Sequence, residues 1–238
     1  MKEILATFKF LTIFPFGKVD EEDLKKSIIF FPLVGMVIGY FTYLFYLFLK
    51  RFFPNEISSF FVIIFLIIIT GGIHIDGFVD TIDGVFGGKN KGEILKIMED
   101  PHIGGFSVIF LFSLLFLKFL IIKNIFNLKI PLIISCLLSR YSVCYFSYFS
   151  IPAKDYGLSK IFFQDKKLSN FLLPTIFTLV ILFLFLNSFS FVIFAINILF
   201  FHILNFYFKK KIGGITGDNF GFIIETTELL NLFLLWRF

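Results

Sequence analysis

Three aspartates, Asp76, Asp80 and Asp83, lie in the stretch GGIHIDGFVDTIDG at residues 71–84. Their i, i+4, i+7 spacing puts all three carboxylates on one face of a helix. Like charges on one face repel, so something positive is expected to hold them together. A divalent cation bound through oxygen, Mg²⁺, is the natural candidate. The alternative is a solvated helix end just outside a bilayer. Two features count against that alternative. The apolar run ISSFFVIIFLIIIT at residues 57–70 leads straight into the motif, and carboxylates at membrane depth are costly and usually functional. Gly71, Gly72, Gly77 and Gly84 also let a bulky ligand approach the backbone. His74, between the glycines and the first aspartate, is a candidate proton carrier or substrate contact.

A second acidic set, Asp218, Glu225 and Glu228, occurs in GGITGDNFGFIIETTELL. The two glutamates sit three apart inside an apolar run, where a carboxylate must be paired, protonated or metal-bound. Glu225 is therefore a candidate metal ligand beside Asp76, Asp80 and Asp83, with Asp218 and Glu228 completing a second acidic wall. The competing reading pairs these glutamates with Arg140, the one arginine embedded in an apolar run. The two motifs share GGI-x-x-D-x-F, with no wider internal repeat. Lysines flank both, and Lys91, Lys154 and Arg140 are candidate contacts for an anionic, phosphate-bearing substrate; for each lysine alone, a topology signal is the stronger explanation. Carboxylates repel a diphosphate directly but attract it through Mg²⁺. The combination points to metal-dependent phosphoryl or phosphodiester transfer, with Asp83 the choice for accepting the nucleophile's proton.

These residues need a scaffold, and composition says which. Of 238 residues 58% are hydrophobic, 41 are phenylalanine, and mean hydropathy is +0.91. A soluble domain of this length has no interior for so much apolar surface. The expectation is an all-α, polytopic membrane bundle, one domain over residues 1–238. About seven spans are expected, at residues 27–49, 57–70, 105–122, 131–151, 171–186, 189–208 and 222–236. No cleavable signal peptide is evident, because Pro15 and the acids at 20–23 interrupt the start. Cys136 and Cys144, eight apart in one apolar run, read as packing residues rather than a disulfide. With the N-terminus inside, most lysines and every acid but Glu56 fall on the cytoplasmic side. The net charge of +5 is thus topological and no nucleic-acid signal. Membrane lipids are the expected surroundings, and such a bundle also admits a homo-oligomer.

Taken together, the blocks resemble the cobalamin synthase family, the adenosylcobinamide-GDP ribazoletransferases. FLTIFPFG (residues 10–17), FFPLVGMVIG (30–39), the 71–84 stretch, ILKIMEDPHIGGFSVI (94–109), PAKDYGLS (152–159) and GGITGDNFGFIIETTE (213–228) are similar to its motifs in the same order. His102 and Lys154 stand where the resemblance leads one to expect Arg or Lys and Arg, and Phe222 replaces an alanine. The resemblance implies transfer of adenosylcobinamide phosphate from adenosylcobinamide-GDP to α-ribazole or α-ribazole 5′-phosphate. Adenosylcobalamin, or its 5′-phosphate, and GMP are the products. A CDP-alcohol phosphotransferase uses the same physics, but its aspartate spacing differs and its Ala-Arg pair is missing here. A cation-coupled transporter would place acids on both membrane faces, whereas these cluster on one.

Overall fold

The computed structural model describes residues 2–15 and 20–238, the side chains of Leu158 and Ser159 excepted. Phe16 and Gly17 of the opening block, and Lys18, lie outside the described residues. Helices α1 (Lys2–Leu11) and α2 (Glu21–Ser27) lead into α3 (Phe31–Leu49) and α4 (Asn55–Ile69). Next come α5 (Ile73–Gly87), α6 (Lys91–Ile97), α7 (Gly105–Asn124) and α8 (Lys129–Phe149). The chain closes with α9 (Leu168–Leu186), α10 (Phe189–Ile212) and α11 (Gly217–Leu234). The all-α membrane bundle is as expected, and the molecule is a multi-pass membrane protein.

Helix α8 forms the axis, buried from Pro131 to Ser147, with α3 and α11 packed along it. Gly35 and Gly39 allow the α3 contact: a Cβ at Gly39 would meet the Leu132 carbonyl oxygen at 2.5 Å and Ile133 Cα at 2.7 Å, the small-residue packing typical of membrane helices. Both cysteines are free and buried on α8. Helices α7, α9 and α10 form the rim, where Phe112, Leu184, Phe191 and Phe206 are exposed, as lipid contact requires.

The expected count of seven spans is not confirmed. Among the described residues five helical stretches are long and apolar enough to cross a membrane: residues 21–49 and helices α7, α8, α9 and α10. Helices α4 and α5 add a sixth only if counted together, and a 90° bend separates them. The bend falls at Gly71 and Gly72, whose φ values of 66° and 74° suit glycine. The expected span at 222–236 lies in α11, an interior helix whose Asp218, Glu225 and Glu228 take it out of the apolar class.

Candidate functional site

The sequence echo has a structural meaning. Each GGI follows a helix C-terminus, where Gly72 and Gly213 take positive φ, and each following aspartate falls in the first turn of the next helix. A carboxylate there is favoured by the helix dipole. The two helices so started, α5 and α11, cross with their backbones touching. A Cβ on Gly77 would lie 2.6 Å from the Asp218 carbonyl oxygen, and one on Gly221 would lie 2.7 Å from that of His74. Gly77→Ala is accordingly expected to push the helices apart, costing about 1–3 kcal/mol and lowering the apparent melting temperature in detergent while reducing activity.

Buried Asn219 locks the crossing. Its amide donates to Thr81 Oγ1 at 3.1 Å, and its carbonyl accepts from the Thr216 N–H at 2.9 Å. Its own N–H donates to Thr216 Oγ1, completing a capping box. The effect is to bring Asp218 to the acidic face of α5. Half-buried Asp80 there meets the charges of Asp218, Asp76 and Asp83, and Lys154 is the cation that offsets them.

The loops at this end are stitched to one another. The Ala153 N–H donates to the Ile215 carbonyl and the Ile215 N–H to the Ile151 carbonyl, both at 2.9 Å. That pairing sets Lys154 beside Thr216 and Asp218 on a cavity of about 370 Å³, which His74 and Tyr156 also line. Glu99 accepts from Lys154 Nζ at 2.8 Å and from the Tyr156 hydroxyl at 2.5 Å. Those hydrogen bonds, the lysine's first, hold the Glu99 carboxyl below its ordinary range. Asp83 accepts from the Gly104 N–H at 2.9 Å and borders a second cavity of about 280 Å³ with Asp100 and His102. Exposed His102 is paired with Asp100 at 2.6 Å. Lys91 lies over Gly213, where an added Cβ would stand 3.0 Å from its Nζ. His74 is 4% exposed, and its Nε2 has no hydrogen-bond partner.

Of the two readings of Glu225, Glu228 and Arg140, the ion-pair reading holds for Glu228 and Arg140, and a second cation joins them. Lys118 of α7 donates to Glu225 at 2.5 Å and to Glu228 at 2.8 Å, and Arg140 donates to Glu228 and to Ser139. All four charged side chains are almost fully buried. Glu225 is thus engaged by an ammonium rather than open to a metal, and Arg140 by a carboxylate rather than a phosphate. The reason is electrostatic: two cations and two anions inside an apolar bundle neutralise one another pairwise. Lys118 is the member of this cluster absent from the candidates that the sequence offers. Its signal was a lone lysine within FSVIFLFSLLFLKFLII.

Among the described residues no three His, Cys, Asp or Glu side chains stand close enough to form an all-protein metal cage. The donors do suit Mg²⁺ in its commoner mode, in which one or two carboxylates act with substrate phosphate and water. Asp76 is exposed and Asp80 and Asp83 are half-buried, so their oxygens can be reached from the polar end.

A family model described as cobalamin-5-phosphate synthase matches residues 3–236. This chain belongs to that family. A protein of Thermoanaerobacter sp. (strain X514) called adenosylcobinamide-GDP ribazoletransferase is 32% identical over 98% of this chain and 96% of its own length. Proteins with the same name are 32% identical in Caldanaerobacter subterraneus subsp. tengcongensis and 31% identical in Clostridium botulinum (strain Langeland). The latter alignment covers 99% of both chains. No solved structure matches. As a cobalamin-5-phosphate synthase family member, the chain is a membrane-embedded transferase of the final stage of cobalamin biosynthesis. The acidic crossing of α5 and α11 is the part of this family member that combines carboxylates, a flanking lysine and accessible cavities.

Proposed function

We infer that this chain transfers adenosylcobinamide phosphate from adenosylcobinamide-GDP to a hydroxyl of α-ribazole or α-ribazole 5′-phosphate, releasing GMP. Family membership over residues 3–236 is the observation that carries this reading, and the acidic crossing is its chemical counterpart. The hydroxyl oxygen forms a bond to the phosphorus bearing cobinamide, and the bond from that phosphorus to the GMP oxygen breaks. Asp83, which accepts one hydrogen bond from the Gly104 N–H, is the group that takes up the hydroxyl proton in this reading. Lys154, swinging from Glu99, meets the diphosphate, and Asp218 and His74 line the cavity that receives it. Asp76 and Asp80 would hold Mg²⁺, which would supply neutralisation of charge on the departing phosphate. Cavities of about 370 and 280 Å³ suit the nucleotide end and the ribazole. The corrin ring, far larger, stays at the surface.

The test is GMP release by detergent-solubilised protein from adenosylcobinamide-GDP, with and without α-ribazole and Mg²⁺. Release that depends on both supports the reading. Release that ignores α-ribazole, or none at all from folded protein, refutes it.

The site is assigned to the cytoplasmic side on the distribution of lysines. Cysteine substituted at Lys210, beside the site, should resist a membrane-impermeant thiol reagent in intact cells. Cysteine at Phe126, the fully exposed residue between α7 and α8, should react. The reverse pattern would invert the orientation and leave the chemistry untouched.

A further inference from the structure

Behind the acidic face of α5 is a third concavity, which the reaction proposed above does not use. At 100° per residue, Phe78, Ile82 and Val85 project from the side of α5 opposite Asp76, Asp80 and Asp83. They form one wall of a groove of about 570 Å³ whose lining is almost entirely carbon. Leu117 of α7, Leu229 of α11 and Leu204 of α10 contribute the other walls. Helices α7 and α10 have no extensive packing on one another, and α5 and α11 floor the gap between them. Phe78 and Phe222 stack across that floor with ring centroids 5.4 Å apart. The groove therefore opens sideways, between two rim helices, into the apolar layer of the membrane.

At the polar end its character changes. Along α10 the lining residues are Ile203, Leu204, Tyr207 and Phe208. The next position on that stripe is Lys211, four residues after Tyr207 and three after Phe208. Lys209 and Lys210 adjoin it, and all three are exposed. Among the described residues none of the three has an ion-pair partner. An apolar slot within the membrane that runs to a phenol, with the ammonium of Lys211 next on the same stripe and two further lysines beside it, matches one chemistry: an acyl chain attached to an anionic phosphate.

We propose that this groove binds one anionic phospholipid. An acyl chain lies between α7 and α10 against the back of α5, and the phosphate meets Lys211 and its neighbours. The acyl chain would lie beside the packed cluster that Phe78 and Ile82 form with Leu114, Phe222 and Leu229.

Native mass spectrometry of the full chain, exchanged into detergent with phosphatidylglycerol or phosphatidylethanolamine, tests this. One retained phosphatidylglycerol per chain is expected, with phosphatidylethanolamine retained far less. Lys209→Gln, Lys210→Gln and Lys211→Gln together should abolish the preference, by about fivefold for each lysine that reaches the phosphate. Leu229→Trp, which fills the groove, should abolish retention; if that protein does not fold, Ser113→Phe at the rim gives the same readout. Equal retention of both lipids, retention undiminished in a folded groove-filled variant, a preference unaltered by the lysine changes, or a dimer in place of the lipid adduct would overturn the proposal. None of these readouts depends on catalysis.

Discussion

Asp80→Asn is expected to lower GMP release by about 100-fold or more, equivalent to several kcal/mol of lost transition-state stabilisation, while leaving the fold at least as stable. Asparagine keeps the size of the side chain and removes its charge. Asp80 is the carboxylate that meets the charges of Asp76, Asp83 and Asp218 together, so removing it relieves repulsion within the cluster. A loss of turnover with an unchanged or raised melting temperature marks a cluster maintained for function at a cost in stability. Asp76→Asn should lose activity similarly, and residual turnover in either variant should require more Mg²⁺. Near-normal rates with unaltered metal dependence in both would show that the acidic face is structural.

The largest effect on stability is expected at Glu228. This side chain accepts from both Lys118 and Arg140, whereas among the described residues Glu225 accepts from Lys118 alone. Glu228→Gln leaves two buried cations facing one carboxylate. Removing one partner of a buried pair typically costs about 3–5 kcal/mol, or roughly 10 °C in apparent melting temperature for a chain of this size. Glu225→Gln should cost less, because Lys118 keeps Glu228. Adding Arg140→Met to Glu228→Gln removes the stranded guanidinium and should restore much of the loss. Melting curves of the single and double variants in one detergent measure this directly. Equal melting temperatures for wild type and Glu228→Gln would mean that the ion cluster contributes nothing to the fold.

The sequence by itself determined the class of the molecule, because a chain with this much apolar surface cannot fold in water, and it exposed Asp76, Asp80 and Asp83 through helical spacing alone. It also marked Asp218 through the shared GGI-x-x-D-x-F pattern and carried the family motifs in order. Those signals are local, or depend on composition, and need no knowledge of what packs where. The tertiary structure decided the rest. Only the crossing at Gly77 and Gly221 brings Asp218 to the aspartates of α5, since that contact joins segments more than a hundred residues apart. Whether the acids near the end of the chain face a metal or a cation depends on which helices flank α11, and α7 and α8 bring Lys118 and Arg140. A buried lysine and a loop lysine look alike in one dimension, so the sequence does not mark Lys118 as the partner of Glu225 and Glu228. The span count was open for a similar reason: composition alone does not say that α11 is enclosed by protein, where Glu225 and Glu228 are tolerated because Lys118 and Arg140 are supplied from other helices.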